Sequence, residues 1–262
     1  MNSILHCVAG LYRVLVSSIY FAFFGLGALV ISMVFFNLMR LFVTNKEKRT
    51  KISRNITQYA FKLYLTTACL LGIFDIKVTN LEKIKNDSGC IYIANHPSLL
   101  DVVILDSFVK NANCVIKSSL KNNPFISGII ACNRYVANSL SPEDILKDCK
   151  ESLDRGDNLI IFPEGTRSLN FDKIKFKHGF SSIAVASKAD IRPLVIRFDG
   201  FALRKNVPWY QIYRKKLTYR IEILDKFDTN EYLEKHQDKE ISAISRGIAK
   251  ELQGLIQSKF DK

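Results

Sequence analysis

Two short segments hold the side chains with which this chain could do chemistry: Asn95-His96-Pro97-Ser98-Leu99-Leu100-Asp101 and Phe162-Pro163-Glu164-Gly165-Thr166-Arg167-Ser168. An imidazole accepts a proton near neutral pH, and a carboxylate five residues on can turn back to it if a helix begins at Pro97 or Ser98. Such a contact fixes the tautomer of His96 and stabilises its imidazolium, leaving the second ring nitrogen for a hydroxyl proton. Taken alone, a His and an Asp at a strand-to-helix turn are more often a cap and a surface residue. The second segment shifts that balance. Gly165 permits a tight turn with exposed amides, and the planar guanidinium of Arg167 suits two phosphate oxygens. Glu164 has two readings, as a ligand for an acceptor hydroxyl or as a partner for Arg167. Lys173, Lys175, Lys177 and His178 add positive charge ahead of a helix expected from Gly179, consistent with a bound anion and equally with a solvated loop.

Each segment follows an apolar run, 90–94 for the first and 158–162 for the second. Both should therefore emerge at the C-terminal edge of one sheet, where open α/β sheets bind their ligands. Further strands are expected at 76–79, 113–116, 135–137, 192–198 and 217–223, with helices at 98–109, 142–155 (capped by Ser141) and 179–188. From residue 75 onward this alternation is the pattern of an α/β domain, a mixed sheet flanked by helices. Ile241, Ile244, Ile248, Leu252, Leu255 and Ile256 share one helical face, expected to cover the sheet.

Upstream the pattern is different. Residues 14–39 carry no charge and as a helix extend about 39 Å at 1.5 Å per residue, enough to cross a bilayer with tilt. The run is longer than a secretory core and no small-residue cleavage site follows, which argues against removal as a signal peptide. Arg13 alone precedes it, while Arg40, Lys46, Lys48, Arg49, Lys51 and Arg54 crowd its far end. The positive-inside rule then keeps the downstream domain cytoplasmic, and the same cluster could grip anionic head groups. Ile56, Tyr59, Ala60, Leu63, Thr67 and Leu70 recur at helical spacing up to Gly72. They describe either the interfacial second helix of an N-terminal membrane-attached helical hairpin or an amphipathic helix packed on the domain. The chain thus divides into 1–74 and 75–262.

With 262 residues, 48% hydrophobic content and a formal net charge of +13, the chain is not disordered and calls for an anionic partner. Nucleic acid fits poorly, because the basic residues are spread along the chain without interleaved aromatics or a binding motif. The six cysteines are scattered and include no C-x-x-C pair, which points to free buried thiols in a reducing compartment.

Together these pieces resemble the glycerolipid acyltransferase family typified by 1-acylglycerol-3-phosphate acyltransferases. The first segment matches its His-x4-Asp motif and the second its phosphate-binding block. Phe176-Lys177-His178-Gly179 and Ile191-Arg192-Pro193-Leu194-Val195 resemble two later blocks, in the same order. The resemblance implies transfer of a fatty acyl group from an acyl thioester, carried by coenzyme A or acyl carrier protein, to the free hydroxyl of a lysophospholipid such as 1-acylglycerol-3-phosphate. The setting it implies is phospholipid biosynthesis on the cytoplasmic side of a bacterial inner membrane. It casts His96 as general base, Asp101 as its orienter, and Glu164, Gly165, Thr166, Arg167 and Lys117 as substrate-binding residues. No metal and no cofactor beyond the thioester co-substrate is implied. One block departs from the pattern: the family places a Lys, a Pro-Gly segment and then an Asp-Arg after a short strand. Here Lys117-Ser118-Ser119-Leu120 and residues 124–128 are followed by Tyr135-Val136-Ala137-Asn138-Ser139, and the nearby Arg134 precedes the expected strand. That leaves room for a different, specialised lipid acceptor. Without catalysis, the same features would describe a basic, membrane-bound lipid-binding protein.

Overall fold

Strands covered on both faces need apolar side chains on both, so they read as unbroken hydrophobic runs rather than alternating ones. That is why the two motif-bearing strands stand out in the sequence. The structure, a computed structural model, describes residues 2–138, 141–168 and 174–261; Ser139 and Lys173 lie outside the described residues. In chain order it contains α1 (Asn2–Val30), which runs through a π-helical turn (Ile31–Phe35) into α2 (Phe36–Phe42), then α3 (Lys46–Leu70), β1 (Phe74–Thr79), β2 (Ile91–Ala94), α4 (Asp101–Asp106) and β3 (Ala112–Ile116). There follow α5 (Ser127–Asn133), β4 (Val136–Ala137), α6 (Pro142–Asp154), β5 (Asn158–Ile161), α7 (Gly179–Ser187), β6 (Ile191–Asp199), β7 (Leu217–Ile223), α8 (Thr229–Lys235) and α9 (Ile241–Gln257).

The strands form one sheet in the order β1-β7-β6-β2-β5-β3-β4, parallel except where β6 meets β7. Ile91 lies opposite Leu159 and Ile93 opposite Ile161, so β2 and β5 end side by side. One face of the sheet packs against α3 and α4 through Tyr64, Leu65, Ala68, Ile104 and Leu105. The other packs against α7 and α9 through Phe180, Ile248 and Leu252. The expected covering face of α9 is narrower than the sequence suggests, since Ile241 and Leu255 are exposed. Strand positions agree with expectation to within about two residues, whereas α4 is shorter than the expected 98–109 and α5 and α8 were not anticipated. All six cysteines are unpaired; Cys90, Cys114, Cys132 and Cys149 are buried, but Cys7 is exposed and Cys69 half-buried.

The second helix both pairs with the apolar helix before it and packs on the domain. Tyr12 donates to the Leu71 carbonyl at 3.2 Å, Tyr20 to the Tyr64 carbonyl at 2.5 Å, and Arg49 to the Val43 carbonyl at 3.1 Å, so α3 runs antiparallel to α1 and α2 along much of their length. Its Thr50, Ser53, Arg54, Thr57 and Leu65 are buried, as is Tyr64, whose ring stacks on Tyr20 of α1 with 5.0 Å between centroids. An 18-residue stretch within the apolar helix Cys7–Phe42 has a mean hydropathy of 2.3, and Val8, Leu11, Leu15, Ile19, Phe23, Leu26 and Val30 form one exposed stripe along the helix. Arg54 departs from the expectation that it joins a head-group-binding cluster. It is buried, paired with Asp157 at 2.8 Å, and donates to the Asn133 carbonyl and the Asn111 side chain. This pair fastens the hairpin to the N-terminal edge of the sheet, and removing one partner is expected to cost about 3–5 kcal/mol because the other charge stays buried.

Beside Arg54 lies Asp106, which accepts from the Tyr135 hydroxyl at 2.6 Å. Burial pushes its carboxyl up to about 7, against the pull of Tyr135 and Arg54. An unfolded Asp releases its proton near pH 4, so between about 4 and 7 the folded chain holds a proton that the unfolded chain has lost. Stability therefore falls as pH rises through that window. Asp106→Asn fixes the neutral state and is expected to flatten this decline, unfolding at a higher temperature than the parent protein at about pH 8 and at a similar one at about pH 5. Thermal unfolding in detergent at both values tests it, and identical pH slopes for the two proteins would contradict it.

Candidate active site

The end of β2 is fixed by Asn95, whose side chain donates to the Ile196 carbonyl and accepts from the Ile196 amide, both at 2.8 Å. His96 follows at once. Its Nδ1 lies 2.7 Å from Oδ2 of Asp101, the first residue of α4. Asp101 is fully buried and also accepts from the Ser98 amide at 2.7 Å and the Ser98 hydroxyl at 2.6 Å. Ser98 in turn accepts from the buried hydroxyl of Tyr219 at 2.9 Å. Burial pushes the Asp101 carboxyl up, while His96 and Ser98 pull it down. A carboxylate only accepts, so facing it Nδ1 carries the proton and Nε2 is the basic nitrogen. Phe162 stacks on the imidazole with 4.2 Å between centroids, and the His96 side chain remains 20% exposed.

The second segment is bolted to the first through the backbone of His96. Glu164 Oε1 accepts from the His96 amide at 2.9 Å and from the Ser168 hydroxyl at 2.6 Å, and the Ser168 amide donates to the His96 carbonyl at 2.7 Å. Glu164 is thus the brace between motifs, and Arg167 finds its support elsewhere. Its Nη1 donates to the carbonyls of Leu203 and Arg204, each at 3.2 Å. The Leu203 carbonyl also takes the amide of Leu99 at 3.0 Å, so one peptide unit holds both motifs. Leu203 sits at φ 67°, a left-handed conformation that costs a non-glycine residue of order 1 kcal/mol or more and persists where surrounding bonds impose it.

Gly165, at φ 68°, closes the turn by donating to the Phe162 carbonyl at 3.0 Å. Its own amide is therefore spent, whereas those of Thr166 and Arg167 make no hydrogen bond among the described residues. Lys177 is anchored through its amide to the Pro163 carbonyl, and its ammonium lies 3.1 Å from where a Cβ on Gly165 would stand. It therefore overhangs the turn that carries Arg167. Lys117 follows β3 directly, at the same sheet edge as His96 and next to β5; it is exposed and touches neither His96 nor Arg167. Arg134 is elsewhere, lining a polar cavity with Glu47, Thr50, Lys51, Arg155 and Asp157 at the opposite edge. Sequence reasoning assigned no role to Ser98, Tyr219, Leu203 or Phe162. Ser98 and Phe162 lie inside the motifs, but nothing local signals Tyr219 or Leu203, which arrive from distant β7 and the connection before it. Among the described residues no group of three or more His, Cys, Asp or Glu side chains is placed to hold a metal ion.

A buried Asp holding an imidazole, and an arginine tethered by a carbonyl that also braces the imidazole's loop, stand together at the C-terminal edge of a mixed sheet, the arrangement that the resemblance to His-x4-Asp acyltransferases leads one to expect. Residues 75–197 match the family model described as Acyltransferase. The chain is 35% identical over 133 residues to the 1-acyl-sn-glycerol-3-phosphate acyltransferase of Helicobacter pylori, covering 47% of this chain and 55% of that one. It is 31% identical over 183 residues to the putative 1-acyl-sn-glycerol-3-phosphate acyltransferase acl-1 of Caenorhabditis elegans, covering 66% of each. The crystal structure of the 1-acyl-sn-glycerophosphate (LPA) acyltransferase PlsC from Thermotoga maritima superposes with a TM-score of 0.59 at 22% identity over 97% of this chain and 98% of that one, a likeness of fold. The chain spans about half the length of the first curated relatives it matches, 55% and 42%. Residues 75–197 thus match an acyltransferase domain and resemble the corresponding part of these relatives.

Proposed function

We propose that this chain transfers a fatty acyl group from a coenzyme A or acyl carrier protein thioester to the free hydroxyl of 1-acylglycerol-3-phosphate. The observation that carries this reading is the shared support of base and anion site: the Leu203 carbonyl holds both Leu99, in the His96 loop, and Arg167. An acceptor phosphate on Arg167, overhung by Lys177, brings its glycerol hydroxyl to Nε2 of His96. Nε2 takes the hydroxyl proton as the oxygen attacks the thioester carbonyl, and Asp101 stabilises the imidazolium through Nδ1–H. The tetrahedral oxyanion is met by the unspent amides of Thr166 and Arg167. Collapse breaks the C–S bond, and the imidazolium returns its proton to the departing thiolate. The steps draw on no metal and no bound cofactor, and no acyl-enzyme forms.

The acceptor reaches this site from a membrane to which the hairpin is attached. Because α3, with Lys46, Lys48, Lys51 and Lys62, lies alongside α1 and α2, the pair fits insertion of the exposed apolar stripe into one leaflet better than a full crossing. The domain then faces the cytoplasm of a bacterial cell. A different lysolipid acceptor is the second reading, favoured by Arg134 lying away from the site. Acyl-CoA with a panel of lysophosphatidic acid, lysophosphatidylglycerol, lysophosphatidylcholine and monoacylglycerol, read by mass spectrometry, separates them. Arg167→Ala is expected to lower kcat/KM for the phosphomonoester acceptor by about 10- to 100-fold, the worth of a charge-assisted hydrogen bond, mainly through KM. Acylation of none of the four would sink the proposal.

A further inference from the structure

The connection between β6 and β7, residues 200–216, is not a plain hairpin loop. It carries five basic residues, Arg204, Lys205, Arg214, Lys215 and Lys216, and no acidic one. Interspersed among them are exposed aromatics: Phe201 at 47%, Trp209 at 41% and Tyr210 at 51% exposure. Arg214 lies over the Phe201 ring at 5.5 Å. The segment is nonetheless firmly seated, because Ile212 is fully buried beneath the 3-10 turn Trp209–Tyr213 and Trp209 packs edge-on against Phe21 of α1 with centroids 6.0 Å apart. Phe21 is flanked on α1 by Ile19 and Phe23, both on the exposed apolar stripe. An aromatic pair with a polar rim, ringed by cations and continuous with an apolar helix face, has the composition of a segment that sits at head-group depth in an anionic bilayer.

We infer that residues 200–216 form a second membrane contact, a strap that docks on anionic phospholipid beside α1 and thereby sets the acceptor site. The inference rests on the reading of the hairpin as membrane-attached but not on the identity of the reaction. The strap's own backbone carries the connection to the site: the carbonyls of Leu203 and Arg204 are those that hold Arg167, and Leu203 bears the left-handed backbone. Seating the strap on lipid favours the carbonyl arrangement that aims the guanidinium, since the bilayer binds that arrangement better than one with the strap lifted.

Trp209 is the only tryptophan of the chain, so its fluorescence reports the strap without labelling. The full-length protein is placed in nanodiscs of phosphatidylcholine alone or of equal parts phosphatidylcholine and phosphatidylglycerol, with normal or brominated acyl chains. In the anionic discs the emission maximum is expected to move to the blue and brominated chains to quench it by roughly half, as for an indole at the interface. Lys205→Glu with Lys216→Glu is expected to remove most of that quenching and to raise KM for a long-chain acceptor presented in anionic discs. Turnover of a water-soluble short-chain acceptor should be unchanged. Unquenched emission from disc-bound protein overturns the contact, and equal quenching in neutral and anionic discs, insensitive to the charge reversal, overturns the anionic-lipid assignment. Quenching without acyl transfer to any acceptor would leave the strap standing and remove the proposed reaction instead.

Discussion

Replacing His96 by alanine is expected to lower kcat/KM by about 10²- to 10⁴-fold, the usual contribution of a positioned proton acceptor. The fold should be little affected. Among the described residues the imidazole bonds only to Asp101 and stacks on Phe162, and Asp101 keeps both donors from Ser98. The loss should fall on kcat, with KM for the acceptor nearly unchanged, because Arg167 is held by Leu203 and Arg204 rather than by His96. Asp101→Asn is the sharper companion. An amide facing Nδ1 can present its NH2 group and force the proton onto Nε2, the wrong tautomer for a base, while leaving the imidazole present. Initial-rate acyl transfer with each purified variant, beside thermal unfolding, tests both. Near-wild-type turnover in His96→Ala with the protein intact would show that the proton leaves by another route.

The same residues explain how much could be read in advance. The two motifs were legible because chemistry-bearing residues follow apolar runs, and in a parallel sheet such runs end at a common edge. Helix α4 begins later than expected, at Asp101, because residues 98–100 form the turn that holds the two motifs: Ser98 gives its amide and hydroxyl to Asp101, and Leu99 its amide to Leu203. Helix α8 did carry a signal, Asp228 with Glu231 three residues on, and the Asp228 side chain accepts from the Glu231 amide at 2.9 Å. Arg54 could not be told from the exposed cations around it, because its difference lies in Asp157, Asn111 and Asn133, all distant in sequence. Tyr219 and Leu203 were invisible for the same reason. Local pattern marks what a strand presents at its tip, but the groups that brace that tip come from wherever the chain returns.

Gly128→Ala is expected to cost about 3 kcal/mol, at the upper end for overpacking, because the clash is with backbone rather than a movable side chain. A Cβ on Gly128 would stand 2.7 Å from both the carbonyl carbon and the Oγ of Ser32 and closer still to the carbonyl oxygen, at the π-helical turn between α1 and α2. The Gly128 amide also donates to Ser32 Oγ at 2.7 Å, and Ser32 is buried. Here the apolar helix and the domain meet backbone to backbone, and the π turn supplies the bend in helical register that lets them. Pushing α5 away moves the segment upstream of it, where Phe125 rests against Gly25 and Lys117 stands at the edge of the site, so activity toward bilayer acceptors should fall with stability. At about 2–4 °C per kcal/mol for a chain of this size, Tm should drop by about 6–12 °C. Gly27→Ala, on α1 one turn before Ser32's π-helical segment, is the control. A Cβ there meets nothing within 4 Å, and relief of glycine's helical penalty should leave that variant unchanged or up to about 1 kcal/mol more stable. If Gly128→Ala instead unfolds with the parent protein, helix and domain are not in contact at this point, and the hairpin is free to leave the sheet.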